Sequence, residues 1–115
     1  MPLAEDMCRN SLSWRWRHFS SFSGPEWHKV ISLRAQVFVL EQSCPYQDPD
    51  EKDPQSWHLE LFCEQQLIGT LRSIPPGVSY KESSVGRVAV SSDFRHLGFG
   101  RDLMLRERKP DGDGY

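Results

Sequence analysis

The chain has 115 residues, with 14 Lys/Arg against 16 Asp/Glu, a net charge of −2 and 37% hydrophobic residues. That length excludes more than one ordinary domain, and no apolar run approaches the roughly 18–20 residues that cross a bilayer. The near-neutral balance excludes a protein that holds polyanions through bulk charge.

The charge is unevenly placed: residues 1–40 carry a net +2, residues 41–64 a net −6, residues 65–109 a net +4 and residues 110–115 a net −2. An acidic middle and a basic later part suit a protein that holds a cationic group on one side and a phosphate-bearing one on the other. The start, Met1-Pro2-Leu3-Ala4-Glu5-Asp6, has neither the positive flank nor the apolar stretch of an export signal, so a soluble, cytoplasmic protein without membrane contact is expected. Three cysteines, Cys8, Cys44 and Cys63, are too few and too widely spaced for a disulfide framework or a paired-Cys zinc site, and free thiols are expected.

Residues 1–11 read as a flexible N-terminus. Over residues 12–19, Leu12, Trp14 and Trp16 alternate with Ser13, Arg15 and Arg17, which predicts a strand with a core face and a solvent face. Ser23 followed by Glu26 has the spacing of a capping box, with Pro25 in the first turn where its missing N–H costs nothing. A helix is predicted from there to about Leu40, its apolar stripe made by Trp27, Val30, Ile31, Val37 and Phe38 with Arg34 set into it. Arg34 is expected to pair with a carboxylate of the acidic loop that follows. Residues 43–56 hold three prolines and four acids without periodicity and read as that loop, with room for a short helix. Residues 58–63 and 67–74 predict an antiparallel hairpin around Glu64-Gln65-Gln66. Residues 85–90, Val-Gly-Arg-Val-Ala-Val, predict a strand buried on both faces.

After that strand the chain reads Ser91-Ser92-Asp93-Phe94-Arg95-His96-Leu97-Gly98-Phe99-Gly100-Arg101-Asp102-Leu103-Met104, a strand, a short loop, Arg-x-x-Gly-x-Gly and an amphipathic helix. Backbone N–H groups at a helix start, with glycines that let a ligand approach the main chain, form an anion site aided by the helix dipole. The same two glycines also serve a plain tight strand-to-helix turn. A P-loop would need Gly-Lys-Ser/Thr, and a dinucleotide fingerprint would open Gly-x-Gly within a parallel β-α-β unit; both are absent.

This loop resembles the cofactor loop of the GNAT acetyltransferase superfamily, Arg/Gln-x-x-Gly-x-Gly/Ala after its fourth strand. The run Leu33-Arg34-Ala35-Gln36-Val37-Phe38-Val39-Leu40-Glu41-Gln42-Ser43-Cys44-Pro45-Tyr46, with Asp50, Asp53 and His58 after it, is similar to the ElaA-like branch of that superfamily. So are Leu71-Arg72-Ser73-Ile74 and Gly86-Arg87-Val88-Ala89-Val90. The similarity covers about residues 14–105. It implies an α+β, incomplete GNAT (acyl-CoA N-acyltransferase) fold, order β-α-β-β-β-α with a mostly antiparallel sheet, over residues 12–109. It further implies acetyl-CoA as co-substrate and an amine acceptor. By the same resemblance Val88, Ala89 and Val90 supply backbone contacts to pantetheine, while Arg95, His96, Leu97, Gly98, Phe99, Gly100 and Arg101 wrap the pyrophosphate. Attack of a neutral amine on a thioester needs a base, and Glu41 is the first candidate for base or amine anchor, with Asp53 and His58 behind it. Each has a plainer reading: Glu41 as an ion pair at the helix end, Asp53 as a solvated loop acid, His58 as the opening of a strand.

The family's fifth strand, fourth helix and last two strands have no counterpart in the sequence, and residues 110–115 read as an unrelated tail. Two expectations follow: a C-terminally truncated acetyltransferase, impaired or inactive, or a non-catalytic protein that pairs with another chain, a second copy included, through the open strand 85–90. Asp48-Pro49-Asp50-Glu51-Lys52-Asp53 imitates a calcium loop, but Lys52 takes an oxygen-ligand position and no glycine follows, so no metal is expected. The Trp14/Trp16 and Arg15/Arg17 alternation is that of a two-faced strand, and nucleic acid is not expected.

Overall fold

The computed structural model describes residues 11–43, 47–78 and 81–106. The expected N-terminal and C-terminal tails, apart from Ser11, lie outside these residues, as do Cys8 and Cys44. Four strands, β1 (Leu12–His18), β2 (Trp57–Cys63), β3 (Gln66–Ile74) and β4 (Ser84–Val90), form one fully antiparallel sheet in the order β1-β2-β3-β4. Helix α1 (Gly24–Arg34) and helix α2 (Phe99–Arg106) complete the predicted β-α-β-β-β-α order.

The α1 start is the predicted capping box: the Glu26 carboxylate accepts from Ser23 N–H at 2.9 Å, and Ser23 Oγ accepts from Glu26 N–H at 3.2 Å. The Ser23 amide and the Arg17 guanidinium hold the Glu26 carboxyl down at about 2. The helix does not stay α-helical to Leu40. From Ala35 to Glu41 it widens into π turns, with Gln42 N–H donating to the Val37 carbonyl five residues back at 3.0 Å. Val37 and Phe38 stay in the core, while Val39 and Leu40 are left exposed.

The β2–β3 hairpin turns on Glu64 and Gln65, at φ 50° and 73°. Both central residues of a type I′ turn require positive φ, which side chains other than Asn and Gly adopt at a cost. The pair Glu64→Asn with Gln65→Gly is therefore expected to raise unfolding free energy by about 1 kcal/mol, read from thermal melting.

The sheet's two faces differ in chemistry. Leu59, Leu61, Ile68 and Leu71 form the main core with Phe99 and Leu103 of α2. Under α1 the same strands present His58, Glu60, Thr70 and Arg72, all buried. Arg17 is not solvated as its alternation predicts: it lies under α1 with Nη1 2.9 Å from Glu26 and Nη2 2.8 Å from the buried Glu60. The Glu60 carboxyl is pushed up by that burial, against the pull of Arg17. Strand β4 also departs from expectation, because Ala89 is its one buried residue and the rest are half-buried, as befits a strand with no outer neighbour among the described residues. Cys63 is in a disulfide, so the free-thiol expectation fails for it.

Candidate cofactor site

Strand β4 is irregular where it faces Leu71. Thr70 stands opposite Ala89 and Arg72 opposite Gly86, so Arg87 and Val88 together oppose a single residue. This is a β-bulge, and Arg87 occupies it with φ 52°. Beyond it Ser91 N–H donates to the Ile68 carbonyl at 2.8 Å, which makes Gly69 and Val90 a non-hydrogen-bonded pair. The Val90 N–H and C=O consequently face the outer edge of the sheet, whereas the backbone of Ala89 is spent on β3. Of the three β4 residues expected to contact a pantetheine arm, Ala89 is thus turned away.

A 3-10 turn at Ser92–Phe94 follows, anchored by the buried Phe94. His96 at φ 67° and Gly98 at φ 84° reverse the chain into α2, whose first bond is Asp102 N–H to the Gly98 carbonyl at 3.0 Å. Phe99 and Leu103 pin the helix to the sheet. Between β4 and the helix start lies a cleft of 420 Å³ lined by Val88, Val90, Phe94, Arg95, His96, Gly98, Phe99 and Gly100. A methyl group built on Gly100 meets nothing within 4 Å. Packing therefore does not require a glycine there, and what it leaves is open backbone at the positive end of a helix dipole. Leu97 packs against the core and Arg101 is exposed on the helix surface.

The three candidate catalytic residues do not meet. Asp53 and His58 lie together under α1, with His58 Nε2–H donating to the Asp53 carbonyl at 3.2 Å. Asp53 is no solvated loop acid: it is 1% exposed and takes Nη1 and Nη2 of Arg34 at 2.9 and 3.1 Å and Nη1 of Arg72 at 3.1 Å. Burial pushes its carboxyl up, and the two guanidiniums with the Asp50 amide outweigh that and hold it below the usual range. His58 is fully buried among Trp27 and Phe22, and burial drives its pKa to about 4. Glu41 stands apart, at the end of the π turns, where it pairs with Arg95 of the glycine loop.

Arg34 pairs with the acidic loop as its place in the apolar stripe predicts, but as one member of a larger cluster. Asp48 accepts from Arg34 at 2.5 Å and from Arg87 Nε at 2.6 Å; Asp50 accepts from Arg72 at 2.6 Å and Arg87 Nη2 at 3.0 Å. Three aspartates of the loop are thus neutralised by three arginines from α1, β3 and β4. The acidic middle of the chain is, in these residues, an internal tie and not an open anionic face. Sequence reasoning gave Arg72 and Arg87 no role, although both stand in the motifs that carry the family resemblance and in the +4 segment that follows the −6 one.

A strand with a bulge, a glycine loop opening a helix and a polar cluster under the first helix define one class. A model of the acetyltransferase (GNAT) family matches residues 14–106, and the chain belongs to that family. A UPF0039 protein of Synechocystis is 42% identical over 94 residues, covering 81% of this chain and 61% of that protein. Escherichia coli ElaA is 32% identical over 97 residues, covering 83% and 63%. Among solved structures, an acyl-CoA N-acyltransferase from Pseudomonas aeruginosa superposes with TM-score 0.79 at 36% identity, over 85% of this chain and 68% of that one. The crystal structure of E. coli ElaA gives 0.76 at 30% identity, over 87% and 73%. The chain spans under two thirds of the length of the curated relatives it matches.

Proposed function

We propose that this chain binds acetyl-CoA at the cleft between β4 and α2, as part of an N-acetyltransferase acting on an amine. The carrying observation is the open backbone at Gly100 beside the outward-facing Val90 N–H. The diphosphate lies over residues 95–101, where loop amides and the helix dipole meet its charge, and the pantetheine arm runs along the outer edge of β4 past Val88 and Val90. The acceptor nitrogen attacks the thioester carbonyl, its proton passes to a base, and the thiolate leaves with a proton from an acid. Asp53 and His58 are sealed from such an acceptor, which leaves Glu41 as the accessible carboxylate of the three.

Because β4 has no outer neighbour among the described residues, the cofactor is gripped on one side. We expect weak binding and little turnover from this chain alone. Pairing with another chain along β4 is the second reading, and two features oppose it: the Arg87 bulge breaks the edge, and Arg95 already occupies the Val90 carbonyl. No helix among the described residues is long and apolar enough to cross a membrane, and action in the cytoplasm, where acetyl-CoA is at hand, belongs to the same proposal.

Gly100→Ala tests the site. Alanine gains up to about 1 kcal/mol of helix propensity and clashes with nothing in the protein. The variant is expected to melt no lower than the wild type while calorimetric titration shows acetyl-CoA affinity reduced about tenfold or more. Unchanged affinity removes the loop from cofactor binding.

A further inference from the structure

We propose that the Glu41 carboxylate competes with a cofactor diphosphate for Arg95, and that its hold on the arginine weakens when a diphosphate binds. The inference rests on the reading of the 95–101 loop as the diphosphate site. Arg95 is fixed twice over. Its Nε and Nη2 donate to the Val90 carbonyl at 3.2 and 3.1 Å, and Nη2 also pairs with Glu41 Oε1. The Nη1 edge makes no hydrogen bond among the described residues, although Arg95 lines the cleft beside Gly98 and Gly100. The arginine thus stands at the mouth of the candidate site with its charge already balanced by a carboxylate.

That carboxylate arrives from 54 residues upstream, on the last π turn after α1. The widened turns are secured at Val37 and Phe38, which are buried, and at Gln42 N–H to Val37. Beyond these anchors, Gln36 Nε2 is the other group near the Glu41 carboxylate, at a long 3.5 Å. Little besides Arg95 therefore holds the Glu41 side chain.

The sign of the effect follows from charge. A carboxylate and a diphosphate are like charges, and a guanidinium shared between them attracts each less than it would attract one alone. Loss of Glu41 does not release Arg95, because the Val90 carbonyl still takes two of its N–H groups. Glu41 therefore lowers the affinity of the loop for a diphosphate, and occupancy of the loop frees an ionised carboxylate at the end of the π turns, next to the exposed Val39 and Leu40. The carboxylate becomes more available to an amine once the cofactor is in place.

The test is calorimetric titration of acetyl-CoA, which carries no free thiol to react with the Cys63 disulfide, into wild type and Glu41→Gln. The ion pair is solvent-exposed, and a pair of that class corresponds to a change of about 1.4- to fivefold. Glu41→Gln is expected to bind acetyl-CoA tighter by that factor, with the gain shrinking as salt is raised. The gain is expected to be absent for acetylpantetheine, which lacks the diphosphate, and absent when Glu41→Gln is made on an Arg95→Gln background. Equal or weaker binding by Glu41→Gln, where the wild type binds, overturns the exchange. So does a gain that persists without Arg95, since the effect then runs through general charge. If neither wild type nor Glu41→Gln binds acetyl-CoA, the reading of the loop itself falls and takes the exchange with it. Melting midpoints within a few degrees of the wild type confirm that the variants are folded.

Discussion

Arg34→Met is expected to lower the unfolding free energy by about 3–5 kcal/mol, a large part of what a domain of this size possesses. Arg34 is 1% exposed and donates four hydrogen bonds, two to Asp48 and two to Asp53. Methionine fills a similar volume without polar atoms, so the loss comes from the partners left behind. Asp53 keeps Arg72 and the Asp50 amide, and Asp48 keeps Arg87, but each carboxylate then lies buried beside too few donors. The cost of leaving a buried charge uncompensated exceeds the small net gain of making the pair. The double variant Arg34→Met with Asp53→Leu removes one of the stranded charges and is expected to recover part of the loss. Urea unfolding of the three proteins decides it, and a loss under 1 kcal/mol for Arg34→Met would show the cluster to be far wetter than its burial indicates. The same cluster ties the 48–53 loop to the bulge of β4 through Arg87, so the variant is also expected to loosen that strand.

Stability is expected to fall as the solution is acidified from pH 7.5 to 5, by about 2 kcal/mol from His58 alone. His58 titrates near 6.5 in the unfolded chain and near 4 in the fold, because burial among Trp27 and Phe22 excludes the charged ring. Between those values the unfolded chain takes up a proton that the folded one refuses. The folded state is therefore most favoured above pH 6.5 and loses ground as pH drops toward 4. Arg34 and Arg72 nearby disfavour the imidazolium further, while the Asp53 carbonyl and carboxylate favour it, and the balance is the lowered value. Glu60 acts in the opposite sense, since its raised carboxyl takes up a proton more readily when folded, and it offsets part of the loss near pH 5. Asp53 contributes only further down, below the ordinary aspartate value of 3.8, where protonation removes its ion pairs. Denaturant unfolding at the two pH values, for wild type and His58→Gln, isolates the histidine. A wild type as steep as the variant would mean that His58 is not the group titrating.

Much of the fold was legible because it depends on neighbours in sequence. The Leu12, Trp14, Trp16 alternation, the Ser23/Glu26 cap, the β2–β3 hairpin and the Arg-x-x-Gly-x-Gly loop each follow from a period or a spacing of a few residues, and each stands where it was expected. The glycine loop was legible as a candidate anion site for the same reason: φ 84° at Gly98 and open space at Gly100 are local demands on a short stretch of chain.

What only the tertiary structure decided is which charges meet. Asp53 and His58 looked like accessible chemistry on a polar loop and at a strand start, yet the register of β2 with β3 and the crossing of α1 over them bring Arg34 and Arg72 onto Asp53 and bury both. Glu41 looked like an acceptor-side carboxylate, and the widening of α1 into π turns carries it to Arg95, 54 residues away. Sequence spacing determines which face of a strand or helix a side chain takes, because that is a matter of backbone period. It does not determine which distant face arrives opposite, and for buried charges that partner settles whether a carboxylate is chemistry or scaffolding.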